Sequence, residues 1–434
     1  MFSDFDYSLK YCILSNTNFR ENDRHILSYH RIIKSLIICL LRFALLSSCI
    51  MKGTIEIIEN GGVTSATGFT AGAIYVGVKS RKKEKPDVAL LISDRPASCA
   101  ALFTTNRFCA APVILGRKIA ALGATRGVVL NSGNANAGTG KAGLDAALSV
   151  QRFAEDALGL AEDSLFVSST GVIGEQLPVD KIKDAIRQII PAMSEDGGHE
   201  AARAIMTTDR YSKEFACELG LSGGTVRIGA MAKGSGMVHP DMATILCFIT
   251  TDAWIEADVM HAMLKKACDR SFNAVSVDGD SSTNDSLLMF ANGASGVSVE
   301  SEEDLMLVES ALNDILSDMA RRIARDGEGA CKMMTVRVSG APSDEEARKI
   351  ARSVVSSNSV KAALGHGPIP EALVLSAAGT ADSTVDFTDV RCSIESDEDM
   401  TLVDIKFSGG SGEAESYGCD LTEEYIRLNG FYRT

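Results

Sequence analysis

One stretch constrains this chain more than any other: Lys233-Gly234-Ser235-Gly236-Met237-Val238-His239-Pro240-Asp241-Met242-Ala243-Thr244, followed by Ile245-Leu246-Cys247-Phe248-Ile249-Thr250. A lysine heads a glycine-rich loop, a Pro-Asp-Met-Ala corner follows, and a threonine opens a run with the composition of a buried strand. A threonine hydroxyl is a poor nucleophile at neutral pH unless a base takes its proton. Beside Thr244 the only histidine is His239. A cut between Ala243 and Thr244 would change this, because a free α-amino group has a pKa of about 7.7–8.0. That amine lies within reach of its own hydroxyl, so one residue supplies both nucleophile and base. The same hydroxyl could make the cut by attacking the Ala243 carbonyl. Ser235 is a rival nucleophile, but it lacks the Gly-x-Ser-x-Gly elbow. Read by itself, such a stretch is more often a glycine turn leading into a core strand.

The string KGSGMVHPDMATILCFITTDA, from Lys233 to Ala253, resembles the signature of the ornithine acetyltransferases, also called glutamate N-acetyltransferases, of the arginine pathway. These are self-cleaving N-terminal-threonine acyltransferases. The resemblance runs, with gaps, from about Met51 to Thr434. It implies an α/β protein with a layered αββα core and smaller flanking domains. It divides the chain into an N-terminal extension (1–50), an α chain (51–243) and a β chain (244–434), assembled as an α2β2 heterotetramer in the cytoplasm. It implies that N2-acetylornithine gives its acetyl group to Thr244 and that glutamate then takes it. No metal, nucleotide or organic cofactor is implied. Whether acetyl-CoA is a second donor stays open.

The same resemblance assigns site residues. In Val167-Ser168-Ser169-Thr170-Gly171-Val172-Ile173-Gly174, the Thr170-Gly171 pair supplies the oxyanion hole. Thr207 of Thr207-Thr208-Asp209 contacts substrate, with Thr208 the neighbour that could displace it. Lys233 meets a substrate carboxylate as a donor-only point charge. Glu328 in Asp326-Gly327-Glu328-Gly329-Ala330 suits a substrate amine, and the C-terminal Asn429 and Thr434 fold back onto substrate. Without the resemblance, Thr170-Gly171 is a strand-to-turn transition and Glu328 an exposed acid beside a helix C-cap. Two departures stand out: Arg210 where relatives carry threonine, and Gly365–Glu371 where they carry an Asp-Pro-Asn-Trp-Gly-Arg-like segment.

The rest of the chain narrows the alternatives. A length of 434 residues suggests two or three domains, and a net charge of -14 argues against nucleic acid or an anionic membrane as partner. The 11 cysteines form no Cys-x-x-Cys pair and the 6 histidines no metal-ligand spacing, which predicts reduced core cysteines and no metal site. Residues 1–50 read as an upstream-start extension, with charges at Arg31, Lys34 and Arg42 arguing against a membrane span. Asn131–Lys141 follows a strand but lacks the phosphate-loop Gly-Lys-[Ser/Thr]. Asp278–Asp285 begins like a calcium loop, yet Thr283 and Met289 replace the required Gly and Glu. Ser80–Pro86, with Arg81, Lys82, Lys83 and Lys85, reads as a solvated basic turn.

Spacing predicts strands at 54–58, 72–78, 88–93 and 333–338. It predicts helices at 179–193, 201–206, 256–268, 301–325 and 345–355, and another after Gly140 with Leu144, Ala147, Leu148 and Phe153 inward. Ser301 and Asp304 read as a box-like N-cap. Two competing functions remain in view: an N-terminal-nucleophile aminopeptidase or amidase, with water as acceptor, and a non-catalytic binding or scaffold protein on the same fold.

Overall fold

The computed structural model describes residues 53–79, 85–239 and 245–430. The first half contains β1 (Ile55–Ile57), β2 (Phe69–Ile74), β3 (Val88–Phe103), α1 (Ala111–Ala120), β4 (Ala124–Asn131), α2 (Gly140–Leu158), β5 (Leu165–Ser169), α3 (Val179–Ile189), α4 (Gly198–Ile205), β6 (Lys213–Leu221) and β7 (Gly224–Lys233). The second contains β8 (Leu246–Thr251), α5 (Ala257–Arg270), β9 (Val275–Ser276), β10 (Ser286–Ala291), α6 (Glu302–Arg325), β11 (Met333–Ala341), α7 (Asp344–Val355), α8 (Asn358–His366), α9 (Glu371–Ala378), β12 (Arg391–Ser396), β13 (Met400–Lys406), β14 (Gly412–Cys419) and α10 (Glu423–Asn429).

Nine strands form one sheet in the order β1-β6-β7-β8-β10-β3-β4-β5, with β2 also on β3. The 16-residue β3 makes this sheet fold over on itself. Its register with β4 shifts between Ile92 and Ala97, and the intervening Asp94-Arg95-Pro96 is exposed. Strand residues alternate faces, and the alternation sorts cleanly. Ala89, Leu91, Leu130 and Phe166 pack against Met231, Leu246, Phe248 and Phe290 between the two halves of the sheet. The Phe166 and Phe290 rings meet there, centroids 5.8 Å apart. The other face of β8 and β10, with Cys247, Ile249, Leu287 and Met289, is covered by α5 and α6. The other face of β3 and β4, with Leu90 and Val129, is covered by α2 and α3. The result is α/β, with four layers: helices, sheet, sheet, helices. Each half holds one parallel crossover pair, β4–β5 through α2 and β8–β10 through a connection that includes α5. A smaller five-stranded sheet, β12-β13-β11-β14-β9, buries one face under α7, α8 and α9.

Local differences from expectation have physical causes. On α2 the inner face is Ala147, Val150 and Ala154 with Gln151 and Glu155, while Leu144, Leu148 and Phe153 are only partly buried. The two polar residues turn inward because they serve β5: Gln151 Nε2 donates to the Leu165 carbonyl, and Glu155 accepts from the N–H groups of Ser164 and Leu165. Only half of the predicted box forms at α6. Ser301 accepts from the Asp304 N–H, but the Asp304 carboxylate holds the Ser222 N–H and hydroxyl instead of reaching back. Helix α1 carries no strong periodic signal and was not expected from the sequence. Among the described residues, no helix is long and apolar enough to cross a membrane, and no cluster of three or more His, Cys, Asp or Glu side chains could hold a metal ion.

Candidate active site

Antiparallel pairing sets Lys233, the last residue of β7, opposite Leu246, the first of β8. The segment between these strands is the glycine-rich loop, of which 240–244 lie outside the described residues. Around this junction is a pocket lined by Ala135, Thr170, Gly171, Ile173, Thr207, Thr208, Lys233, Gly236, Met237, Ser282, Thr283, Asn284, Glu328 and Asn429. The structure therefore brings together six of the predicted residues: Thr170, Gly171, Thr207, Lys233, Glu328 and Asn429. Ala243, Thr244 and Thr434 lie outside the described residues.

One wall is uncharged. Thr170 and Gly171 leave the end of β5, and the Thr170 N–H donates to the Asn131 carbonyl at 3.0 Å. Gly171 has φ +131°, and a Cβ there would fall 2.3 Å from the Gly133 carbonyl carbon, so only glycine fits. The asparagine-rich loop behind it is held by its own amides. Asn131 donates to the Asn134 carbonyl at 2.9 Å and accepts from the Ser169 hydroxyl at 2.7 Å. From the second half of the chain, Asn284 Nδ2 donates to the carbonyls of Ala135 at 2.6 Å and Ser169 at 2.8 Å. The acidic loop expected merely near the site thus supplies three lining residues, and Asn284 ties them to the end of β5 and to the asparagine-rich loop. Nothing in spacing signals this, since the partners are 149 and 115 positions away.

The facing wall is built on charge. Asp209 Oδ2 accepts from the Thr207 N–H at 3.0 Å and Oδ1 from the Gly234 N–H at 2.8 Å, which fixes both the threonine pair and the glycine loop. Fully buried Lys213 bridges Asp209 at 2.8 Å and Asp326 at 2.7 Å. Burial raises the Asp209 carboxyl pKa, but Lys213 and Lys233 outweigh it and hold it below the ordinary range. Arg210 braces Asp326 from outside at 2.8 Å and is absent from the pocket lining, so that departure leaves the pocket itself untouched. No residue of 365–371 lines the pocket either; the segment links α8 and α9.

Asp326 ends α6, and two residues later Glu328 reaches the pocket, its N–H donating to the Ser235 carbonyl at 2.7 Å. Its carboxylate accepts from Thr208 and from Asn429 Nδ2, each at 2.6 Å. Gly236 makes room: a Cβ there would lie 2.3 Å from the Glu328 carboxyl carbon. Because Thr208 spends its proton on Glu328, Ser235 must be the donor in the 2.7 Å Ser235–Thr208 contact. Ser235 is thus tied into a structural chain, which weakens it as a nucleophile. Thr208, the rival of Thr207, lines the pocket beside it.

Lys233 is buried, and burial lowers its pKa against the opposing charges of Asp209, Asp285 and Glu328. Asp285 is buried too, and burial pushes its carboxyl well up. Burial also pushes Asp278 up to about 6, although it accepts the N–H groups of Met237 at 2.6 Å and Val238 at 3.0 Å. Those two bonds hold Met237 at φ +56°. His239 sets Nδ1 3.3 Å from the Ser276 hydroxyl.

A sequence profile described as the ArgJ family matches residues 70–434. The chain belongs to the ArgJ family. It is similar to the "Arginine biosynthesis bifunctional protein ArgJ" of Dehalococcoides mccartyi, 41% identical over 408 residues that cover 88% of this chain and 100% of the relative. The protein of the same name from Symbiobacterium thermophilum is 42% identical over 397 residues, covering 86% of this chain and 99% of the relative. Among solved structures, the bifunctional ArgJ protein of Bacillus halodurans matches at 38% identity and TM-score 0.41, over 45% of this chain and 100% of that one. An ornithine acetyltransferase complexed with ornithine, from Mycobacterium tuberculosis, matches at 34% and 0.40, over 44% and 100%. As an ArgJ family member the chain is an acyltransferase of arginine biosynthesis.

Proposed function

We propose that this ArgJ family member carries an acetyl group from N2-acetylornithine to glutamate through an acetyl-Thr244 intermediate, after cutting itself between Ala243 and Thr244. The single observation that supports this best is the pocket at the β7–β8 junction. It collects Thr170, Gly171, Thr207, Lys233, Glu328 and Asn429 beside the start of β8, with no second charged site needed. In this reading the Thr244 hydroxyl attacks the acetyl carbonyl, and the α-amino group of the same residue takes the proton. Thr170 and Gly171 stabilise the oxyanion, where one donor is worth about 2.7–4 kcal/mol. Lys233 meets the α-carboxylate, and Glu328, steadied by Thr208 and Asn429, meets an amine. Ornithine leaves, glutamate enters, and its amine takes the acetyl group. Thr434, with Asn429, contacts substrate, and the two chains, 51–243 and 244–434, assemble as α2β2 in the cytoplasm. The description of both relatives as bifunctional is what favours acetyl-CoA as a second acetyl donor to the same threonine, a point the residues leave open.

Intact-mass analysis of the wild type and of Thr244→Ala tests the cut. Two fragments in the first and one chain in the second are expected; one chain in both would sink the proposal. Acetyl transfer measured with and without glutamate separates it from the amidase reading, for which N-acetylornithine would be hydrolysed with no acceptor present.

A further inference from the structure

Lys85 belongs to the basic run that reads as a solvated turn, of which 80–84 lie outside the described residues. It is only half-exposed. Its ammonium donates to the main-chain carbonyl of Met206 and, at 3.3 Å, to the Ser132 hydroxyl. These partners stand on different walls of the pocket. Met206 is the C-cap of α4 and leads directly into Thr207 and Thr208. Ser132 leads into Gly133, the residue against which Gly171 packs.

A lysine on a carbonyl at a helix C-terminus is ordinary capping, and the Met206 bond alone would need no other account. The Ser132 bond is not explained that way. It brings the asparagine-rich loop, 47 positions away in sequence, onto the same ammonium that holds a carbonyl 121 positions away. Bonds from a charged donor are roughly twice as strong as neutral ones. Burial lowers the Lys85 pKa, Asp209 and Asp87 raise it, and Lys233 and Arg203 lower it further, so the net shift is downward.

We propose that Lys85 is a positioning residue for acyl transfer: its ammonium clamps the Thr207–Thr208 wall to the oxyanion wall. The proposal rests on the acyl-transfer reading above. It asks that substrate contacts and oxyanion donors be fixed relative to one another, and a misplacement of about 1 Å can cost about 100-fold in rate.

The test uses the full chain carrying Lys85→Met, with Lys85→Arg as the conservative variant. With N-acetylornithine and glutamate, Lys85→Met is expected to lower kcat by about tenfold to 100-fold while changing KM by less than about threefold, and Lys85→Arg to recover most of the loss. Hydrogen exchange by mass spectrometry should rise in peptides covering 131–136 and 206–209 in the Met variant and return in the Arg variant. Wild-type kcat in Lys85→Met, a loss that Arg does not restore, or unchanged exchange in both peptides would overturn the proposal. If the wild type transfers no acetyl group, the functional reading fails, and the exchange data still decide the clamp. Should Lys85→Met not fold, Lys85→Gln, whose shorter and uncharged side chain weakens both bonds, takes its place, with a smaller loss of kcat in the same direction expected and wild-type kcat overturning the proposal.

Discussion

The two walls of the pocket solve different problems. The uncharged wall, from Asn131 to Asn136 with Ser169, Thr170, Gly171 and Asn284, has no charged residue of its own and is knit together by amide and hydroxyl bonds of 2.6–3.0 Å, with the Lys85 ammonium reaching Ser132 from outside. The facing wall rests on Asp209, Lys213 and Asp326, with Lys233 and Glu328 projecting from it. A wall of neutral groups locked by internal bonds can present the donors left unspent to a charge that develops only during reaction, without a counter-charge to compete. Formal charges suit substrates that already carry them, but burying those charges leaves the structure dependent on every partner remaining. Damage to the first wall should therefore appear in rate, and damage to the second in stability and pH response.

Lys213→Met should give the largest effect. It removes the cation that, among the described residues, bridges buried Asp209 and Asp326, and breaking a buried pair from one side costs about 3–5 kcal/mol. Because Asp209 also holds the Thr207 and Gly234 N–H groups, both the threonine pair and the glycine loop would loosen. Urea denaturation reads the loss. A change below about 1 kcal/mol, the range of an exposed pair, would mean that the charged wall does not depend on its ion pairs, and the contrast would fail.

Gly171→Ala is the matching probe of the uncharged wall. The added methyl would meet Gly133 at 2.3 Å and the Asn134 nitrogen at 2.5 Å, at a φ of +131° that alanine rarely adopts. The oxyanion segment must shift, and kcat should fall by about 10²–10³, the loss of one donor. Stability should fall by less than in Lys213→Met. A drop in stability without a drop in kcat would place Thr170 and Gly171 outside the chemistry.

These two residues also show what was legible in the sequence. Gly171 sits in a string whose local composition announces a turn, and its role came from resemblance to a family whose signature is contiguous. The four layers were expected from the same resemblance, whereas spacing by itself placed only separate strands and helices. Nothing in the spacing or composition around Lys213 marks it. Its meaning lies in Asp326, 113 positions on, as that of Asn284 lies in Ala135 and Ser169. Lys85 was misread as part of a solvated turn because periodicity and composition carry no record of a carbonyl at Met206. Contacts that close long loops are made by tertiary structure, and single-chain pattern reading cannot reach them.

The smallest expected effect is a shift of pH response on the charged wall. Burial lowers the Lys233 pKa, while Asp209, Asp285 and Glu328 pull it back up. The ammonium that meets a substrate carboxylate is thus lost as pH rises through a value below the ordinary lysine range, and KM should climb on that alkaline limb. Stability has the opposite sign. The unfolded chain keeps its proton to about 10.4, so between the folded and unfolded values it binds more protons than the folded protein does, and stability rises with pH there. Glu328→Gln sharpens this. It keeps an oxygen for Thr208 but removes one of the three carboxylates that hold the Lys233 proton in place, so the alkaline limb of KM should move to lower pH. Gly171→Ala, on the neutral wall, should leave the position of that limb where it was. A limb that moves with Gly171→Ala and not with Glu328→Gln would mean that the charges of one wall are set by the packing of the other, and the two could no longer be treated as separate devices.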